Sequence, residues 1–224
     1  MEDGTLPEKP AINAFHKAAT AVIGDGDTMV LPDAPASIFE GEAEMALIIG
    51  KRATRVSPAD AFKHIFGYTC FIDGSARGLP PPGNVFFQMK SRDTFAPIGP
   101  CIVTADEIAD PQNLNITLTN NGQMMQKFNT SDMAHHIPRI IEWVSSIHTL
   151  EPGDIVATGT NHRGLNSFMD GDKIELTVEK IGTLSFTVKD ELKRTWARTT
   201  RLQHKEKGGE GPHTPQLTGK YAKK

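Results

Sequence analysis

Glu42-Ala43-Glu44-Met45-Ala46-Leu47-Ile48-Ile49-Gly50 is the stretch on which the fold turns. Its apolar run puts hydrophobic side chains on both faces of an extended chain and stops at Gly50, which predicts a covered strand over residues 42–49. Two glutamates two residues apart leave the same face of such a strand, roughly 7 Å apart along the backbone. Like charges at the head of a covered strand repel each other and resist desolvation unless a cation binds them. A hard divalent ion, Mg2+ or Mn2+, would accept these oxygens and keep places for water and substrate. On spacing alone a plainer alternative stands beside it, an exposed strand start with both carboxylates in water.

Outward from that strand, residues 68–72 (YTCFI) predict another, closed by Asp73. Gly74-Ser75-Ala76-Arg77 then reads as a tight turn carrying a cation, and Asp73 as a second acidic candidate or a turn-forming residue. Ser57-Pro58-Ala59-Asp60 carries helix-start signals, with Pro58 at the first position. Short strands are predicted at 28–31, 101–104, 114–119, 124–128, 154–157, 173–178 and 184–188, with Asn121-Gly122 as a hairpin turn. Pro138 opens a helix whose Ile141, Val144 and Ile147 share a face. Strands do not alternate with helices, so the class is mainly β (α+β) rather than a doubly wound parallel sheet. Residues 1–200 form one domain, and 201–224 a basic tail with Gly and Pro that is disordered or drapes over a partner subunit.

Composition sets the outer limits. The 224 residues suffice for one large domain, with 38% hydrophobic and 23% charged residues as in ordinary globular proteins. A net charge of −3 and a pI near 6.2 disfavour nucleic acid as the main partner. No apolar run of about 18 residues predicts a membrane span, and the acidic start Met1-Glu2-Asp3 does not resemble a secretory signal, so a cytoplasmic protein is expected. Cys70 and Cys101 lie in apolar runs and read as two buried free thiols. The adjacent His135 and His136 cannot face one point on a regular element and read as structural, as does Trp143.

Several motifs in this order resemble the fumarylacetoacetate hydrolase family. They are E-x-E with its apolar strand (Glu42 to Gly50), GYT-x-x-x-D-x-S-A-R (Gly67 to Arg77) and K-S-x-D-T-F-x-P-x-G-P (Lys90 to Pro100). A TGT-containing segment ending at Thr160 and a closing GD-x-x-E element near Asp170 follow. The resemblance implies a mixed β-roll with a few short flanking helices, usually a homodimer. It also implies that Glu42, Glu44 and Asp73 are metal ligands for Mg2+ or Mn2+, that Arg77 and Lys90 are catalytic, and that Lys17 and Thr160 bind substrate.

The chain departs from the family pattern at three places. An upstream N-Y-x-x-H-x-x-E, whose His and Glu activate water, maps its glutamate onto Glu2 and its histidine before Met1. Gly78 and a triple proline replace the usual Asp after Arg77. Asn161-His162-Arg163-Gly164-Leu165 replaces the proline after TGT, and His162 is a local alternative base.

The function implied is metal-dependent hydrolysis of a C–C bond in an acylpyruvate-like or fumarylpyruvate-like keto acid. The metal would polarise the carbonyl while Lys90 and Arg77 offset developing charge. Isomerisation, hydration or decarboxylation of a 2-oxo acid in aromatic catabolism uses the same ligands. A catalytically silent relative is the reading from another class.

Overall fold

The computed structural model describes residues 10–81, 83, 86–211 and 213–222. In chain order the strands are β1 (Val22–Ile23), β2 (Thr28–Val30), β3 (Ile38–Ile49), β4 (Ile65–Arg77), β5 (Ala96–Thr104) and β6 (Asn115–Asn120). After them come β7 (Gln123–Asn129), β8 (Ile155–Ala157), β9 (Lys173–Val178), β10 (Gly182–Lys189), β11 (Thr195–Trp196) and β12 (Gln216–Thr218). Among the described residues three α-helices accompany them: α1 (Phe86–Lys90), α2 (Ile137–Ile147) and α3 (Arg201–Glu206). The architecture is mostly β with short helices.

Two five-stranded sheets carry the fold, in the orders β1-β5-β4-β3-β8 and β2-β10-β9-β6-β7. Each is mixed: β1 runs parallel to β5 and β2 parallel to β10, while the other pairs are antiparallel. One apolar core joins them. Phe39, Ala43, Met45 and Leu47 from one face of β3 and Ile72 from β4 meet Ile116, Leu118, Ile174, Leu176 and Phe186 of the second sheet. Alternation along β3 therefore sends odd-numbered side chains into this core and turns even-numbered ones to the opposite face. Asn121 and Gly122 both adopt positive φ, 52° and 75°, as the two-residue turn between β6 and β7 requires.

Four expectations need correction. β4 does not end at Asp73 but continues through Gly74-Ser75-Ala76 to Arg77. These small residues read as a turn, yet they serve close packing: a Cβ on Gly74 would lie 2.5 Å from the Met29 methyl and 2.9 Å from Phe95. Cys70 is buried, but Cys101 is exposed on β5. Ile147 is exposed at the end of α2 rather than sharing the buried face of Ile141.

The tail is the fourth. Residues from Arg201 onward form α3, capped by Thr200 with Gln203 in a reciprocal capping box, and β12, which pairs with β11. The tail packs on its own chain through these elements. Among the described residues no helix is long and apolar enough to cross a membrane.

Candidate metal centre and active site

Register builds the site. Glu42 lies directly opposite Asp73, Glu40 opposite Ser75 and Ile38 opposite Arg77 across β3 and β4. Side chains on one face recur every second residue, so Glu40, Glu42 and Glu44 share a face with Asp73, Ser75 and Arg77. The back of this pair must be flat. Gly41 and Gly74 are also partners, and a Cβ on Gly41 would collide with the Phe168 ring. Glu42, Glu44 and Asp73 are buried, and one carboxylate oxygen from each lies within 4.8 Å of the others.

Cations close around this cluster. Lys90, the last residue of α1, is buried; its Nζ donates to Glu42 and, at 2.6 Å, to Asp73 Oδ2. Lys17 donates to the other Asp73 oxygen at 2.6 Å and to the Lys90 carbonyl. Its segment is anchored where Phe15 stacks on Phe86 of α1 with ring centroids 4.7 Å apart. Arg77 donates through Nη2 to Glu42 Oε1 at 2.6 Å and through Nε to Glu40 Oε2 at 3.2 Å.

The segment after β8 completes the ring. The Gly159 N–H donates to Glu44 Oε2 at 2.7 Å, and the Thr160 hydroxyl donates to the Ala43 carbonyl at 2.7 Å. Gln126 fixes this segment, donating to Thr160 Oγ1 at 3.0 Å and to the Asn161 carbonyl at 2.8 Å. His162 Nε2 stands 3.1 Å from Glu42 Oε1. Beside Gly159 and Thr160 opens a cavity of about 430 Å3 with walls from Ile12, Phe128, Met133, Ile140 and Trp143. A volume of this size suits a small molecule.

The electrostatics are uneven. Burial opposes ionisation of Glu42, but Lys90 and then Arg77 outweigh it and bring its carboxyl down to about 2. Burial and the like charges of Asp73 and Glu42 push Glu44 well above the carboxylate range, with only the Gly159 N–H and Lys90 opposing. Asp73 rises to about 6 through burial and the neighbouring Glu42, against Lys90 and Lys17. Burial lowers the Lys17 ammonium. Burial, then Arg201, lowers His162 to about 4, so its imidazole is neutral at ordinary pH. Three buried carboxylates thus converge and raise one another's affinity for protons, with Lys90, Lys17 and Arg77 set around them. An all-oxygen donor set of this kind fits a hard divalent cation.

Glu42, Glu44, Asp73, Arg77, Lys90 and Lys17 meet in one place, with Thr160 next to them. Glu2 lies outside the described residues. His135 sits apart from the cluster, its Nε2 2.7 Å from the Pro10 carbonyl. His136 is the N-cap position of α2, and Trp143 forms a cavity wall. Sequence reasoning missed Glu40, Gln126 and Arg201. The alternation Glu40-Gly41-Glu42-Ala43-Glu44 would have found the first; only distance in space reveals the others.

Known proteins resemble this chain in sequence and in fold. The family model described as fumarylacetoacetate (FAA) hydrolase C-terminal matches residues 2–189. Oxaloacetate tautomerase YisK of Bacillus subtilis is 40% identical over 189 residues, covering 82% of this chain and 62% of its own length. The 5-carboxymethyl-2-hydroxymuconate delta-isomerase from Mycobacterium smegmatis superposes with TM-score 0.74 at 40% identity, over 79% of this chain and 68% of that one. Maleylpyruvate hydrolase from Sphingobium sp. SYK-6, solved with manganese(II) and pyruvate, gives 0.73 at 39% identity, over 79% and 64%.

Proposed function

Because the chain belongs to the fumarylacetoacetate hydrolase family, we propose that it is an enzyme of small 2-oxo carboxylic acids that works with a divalent cation, Mg2+ or Mn2+. The observation that carries this reading is the buried carboxylate triad Glu42, Glu44 and Asp73, ringed by Lys90, Lys17 and Arg77 at hydrogen-bond distance. A cation held by the triad would polarise the 2-oxo group and favour its enolate form.

The chain's own residues supply the rest. Lys90 and Arg77 offset the negative charge of a substrate carboxylate or developing oxyanion. Lys17, whose ammonium burial makes more acidic, carries a proton at the edge of the cluster. Thr160 orients the substrate end beside Gly159, and the adjoining cavity takes the part of the molecule that the carboxylates do not hold.

Proton transfer at the carbon next to the oxo group, a keto–enol tautomerisation, is the reaction this arrangement favours. The likeness to an oxaloacetate tautomerase supports it. Hydrolysis of a C–C bond in an acylpyruvate-like acid is the second reading, favoured by the likeness to maleylpyruvate hydrolase. It adds a water, for which Glu2 or the neutral imidazole of His162 is the base.

The test is a panel of oxaloacetate, acylpyruvates and 2-hydroxymuconate-type acids, assayed with Mn2+ or Mg2+ and after chelation, on wild type and Asp73→Ala. Tautomerisation shows as relaxation of enol absorbance without new products, and hydrolysis as release of pyruvate together with a carboxylic acid from an acylpyruvate. Turnover that survives both chelation and Asp73→Ala would sink the proposal.

A further inference from the structure

Glu40 is the one acid on the site face of β3 outside the triad, and its side chain is fully buried. Two guanidinium groups share it. Arg77 reaches it with Nε at 3.2 Å, while Arg201 grips both oxygens, through Nε at 3.1 Å and Nη2 at 2.6 Å. Arg201 comes from the first turn of α3, beyond the 2–189 stretch that the family model matches.

The placement of Arg201 is built rather than incidental. Thr200 caps α3, the Arg201 N–H donates to the Leu165 carbonyl at 2.9 Å, and α3 packs on the short 3-10 turn His162–Gly164. That turn carries His162 to within 3.1 Å of Glu42. The loop 161–165 and the C-terminal helix therefore meet at one edge of the carboxylate cluster.

Charge counting gives the consequence. Arg77 and Arg201 contribute two positive charges and Glu40 one negative, so the trio carries a net +1 beside the triad. Without Arg201, Glu40 becomes the undivided counter-ion of Arg77, and the trio becomes neutral. The remaining guanidinium would also be drawn toward Glu40 and away from Glu42, since a buried carboxylate demands a full partner. We propose that Arg201 is a positioning residue: by taking half of Glu40, it keeps Arg77 aimed at the metal centre and available to an anionic oxygen of the substrate. This inference rests on the reading of the triad as a metal and keto-acid site.

The experiment measures pyruvate binding to the full chain by calorimetry at saturating Mn2+, for wild type, Arg201→Met and Arg201→Lys. Thermal melting is followed in parallel, and KM and kcat are measured on whichever substrate the panel identifies. Arg201→Met is expected to weaken pyruvate at least roughly tenfold and to raise KM more than it lowers kcat, because a charge that serves an anion is lost. Arg201→Lys keeps the charge without the two-pronged grip and is expected to recover part of the loss. Recovery by lysine separates charge from packing and holds even if the methionine variant folds poorly. Equal pyruvate affinity in wild type and both variants would overturn the inference alone. A wild-type chain that takes up no pyruvate with Mn2+ would overturn the underlying reading, and the inference with it.

Discussion

Glu42 and Asp73 are direct partners across β3 and β4, and a single ammonium, that of Lys90, bridges one oxygen of each. The pairing is a property of backbone register, so the two carboxylates approach each other before any ion arrives. The fold holds them against their mutual repulsion, and Lys90 occupies oxygens that a divalent cation would also seek.

Metal addition is expected to stabilise the chain. Free Mn2+ at about 100 times its Kd adds about 2.7 kcal/mol to the native state. For a protein of this size that raises the melting midpoint by roughly 5–10 °C. Scanning calorimetry checks it, and Glu44→Gln should abolish most of the rise.

Metal affinity is expected to depend on pH with a definite sign. Asp73 has a folded value of about 6 against an ordinary 3.8, so the metal-free native state binds an extra proton between those limits. Its contribution to stability is present below about pH 4 and lost as the pH rises through 6. A cation must displace that proton and the one that burial and its neighbours hold on Glu44, so apparent affinity should climb by up to about tenfold per pH unit for each proton displaced and keep rising beyond pH 6. Glu42, held at about 2 against an ordinary 4.5, runs the other way: its contribution is present above 4.5 and lost as the pH falls through 2. Isothermal titration from pH 4.5 to 8 reads the first effect, and acid unfolding the second.

Lys90→Met separates binding from turnover. The change strands Glu42 and Asp73 without their shared ammonium, which should cost the metal-free fold on the order of 3–5 kcal/mol. It also removes the competitor for those oxygens, so Mn2+ should bind more tightly than to wild type while keto-acid turnover falls at least about 100-fold. Looser metal binding in this variant would contradict the assignment of Lys90.

Gly41→Ala tests the back of the strand pair. A methyl there meets the Phe168 ring and Ile72, and overpacking of this kind costs about 1–3 kcal/mol. Because Gly41 lies between Glu40 and Glu42, metal affinity should fall along with the denaturant midpoint. A variant with wild-type stability would show that Phe168 can move aside.

Much of this was legible in the sequence. The apolar run behind Glu42 marked the covered strand, and Asn121-Gly122 marked the hairpin of β6 and β7, because both signals are local. Asp73 to Arg77 was misread for the opposite reason. Gly and Ser favour turns, and nothing nearby in sequence says that Phe95 and Met29 will press against Gly74. Lys17 and Lys90 reached the site through the family resemblance, not through spacing. Arg201 was read as part of a loose tail because its partner Glu40 is 161 residues away and a basic, Gly-containing stretch carries no trace of that pairing.

The alternation along β3 acts as a reading frame. Shifting it by one residue would drive Glu40, Glu42 and Glu44 among Met45's neighbours in the core and bring Ala43 and Met45 to the catalytic side. The outer loops can therefore vary in length without moving the carboxylates, whereas a single residue inserted within 38–49 would disrupt the cluster and the core together.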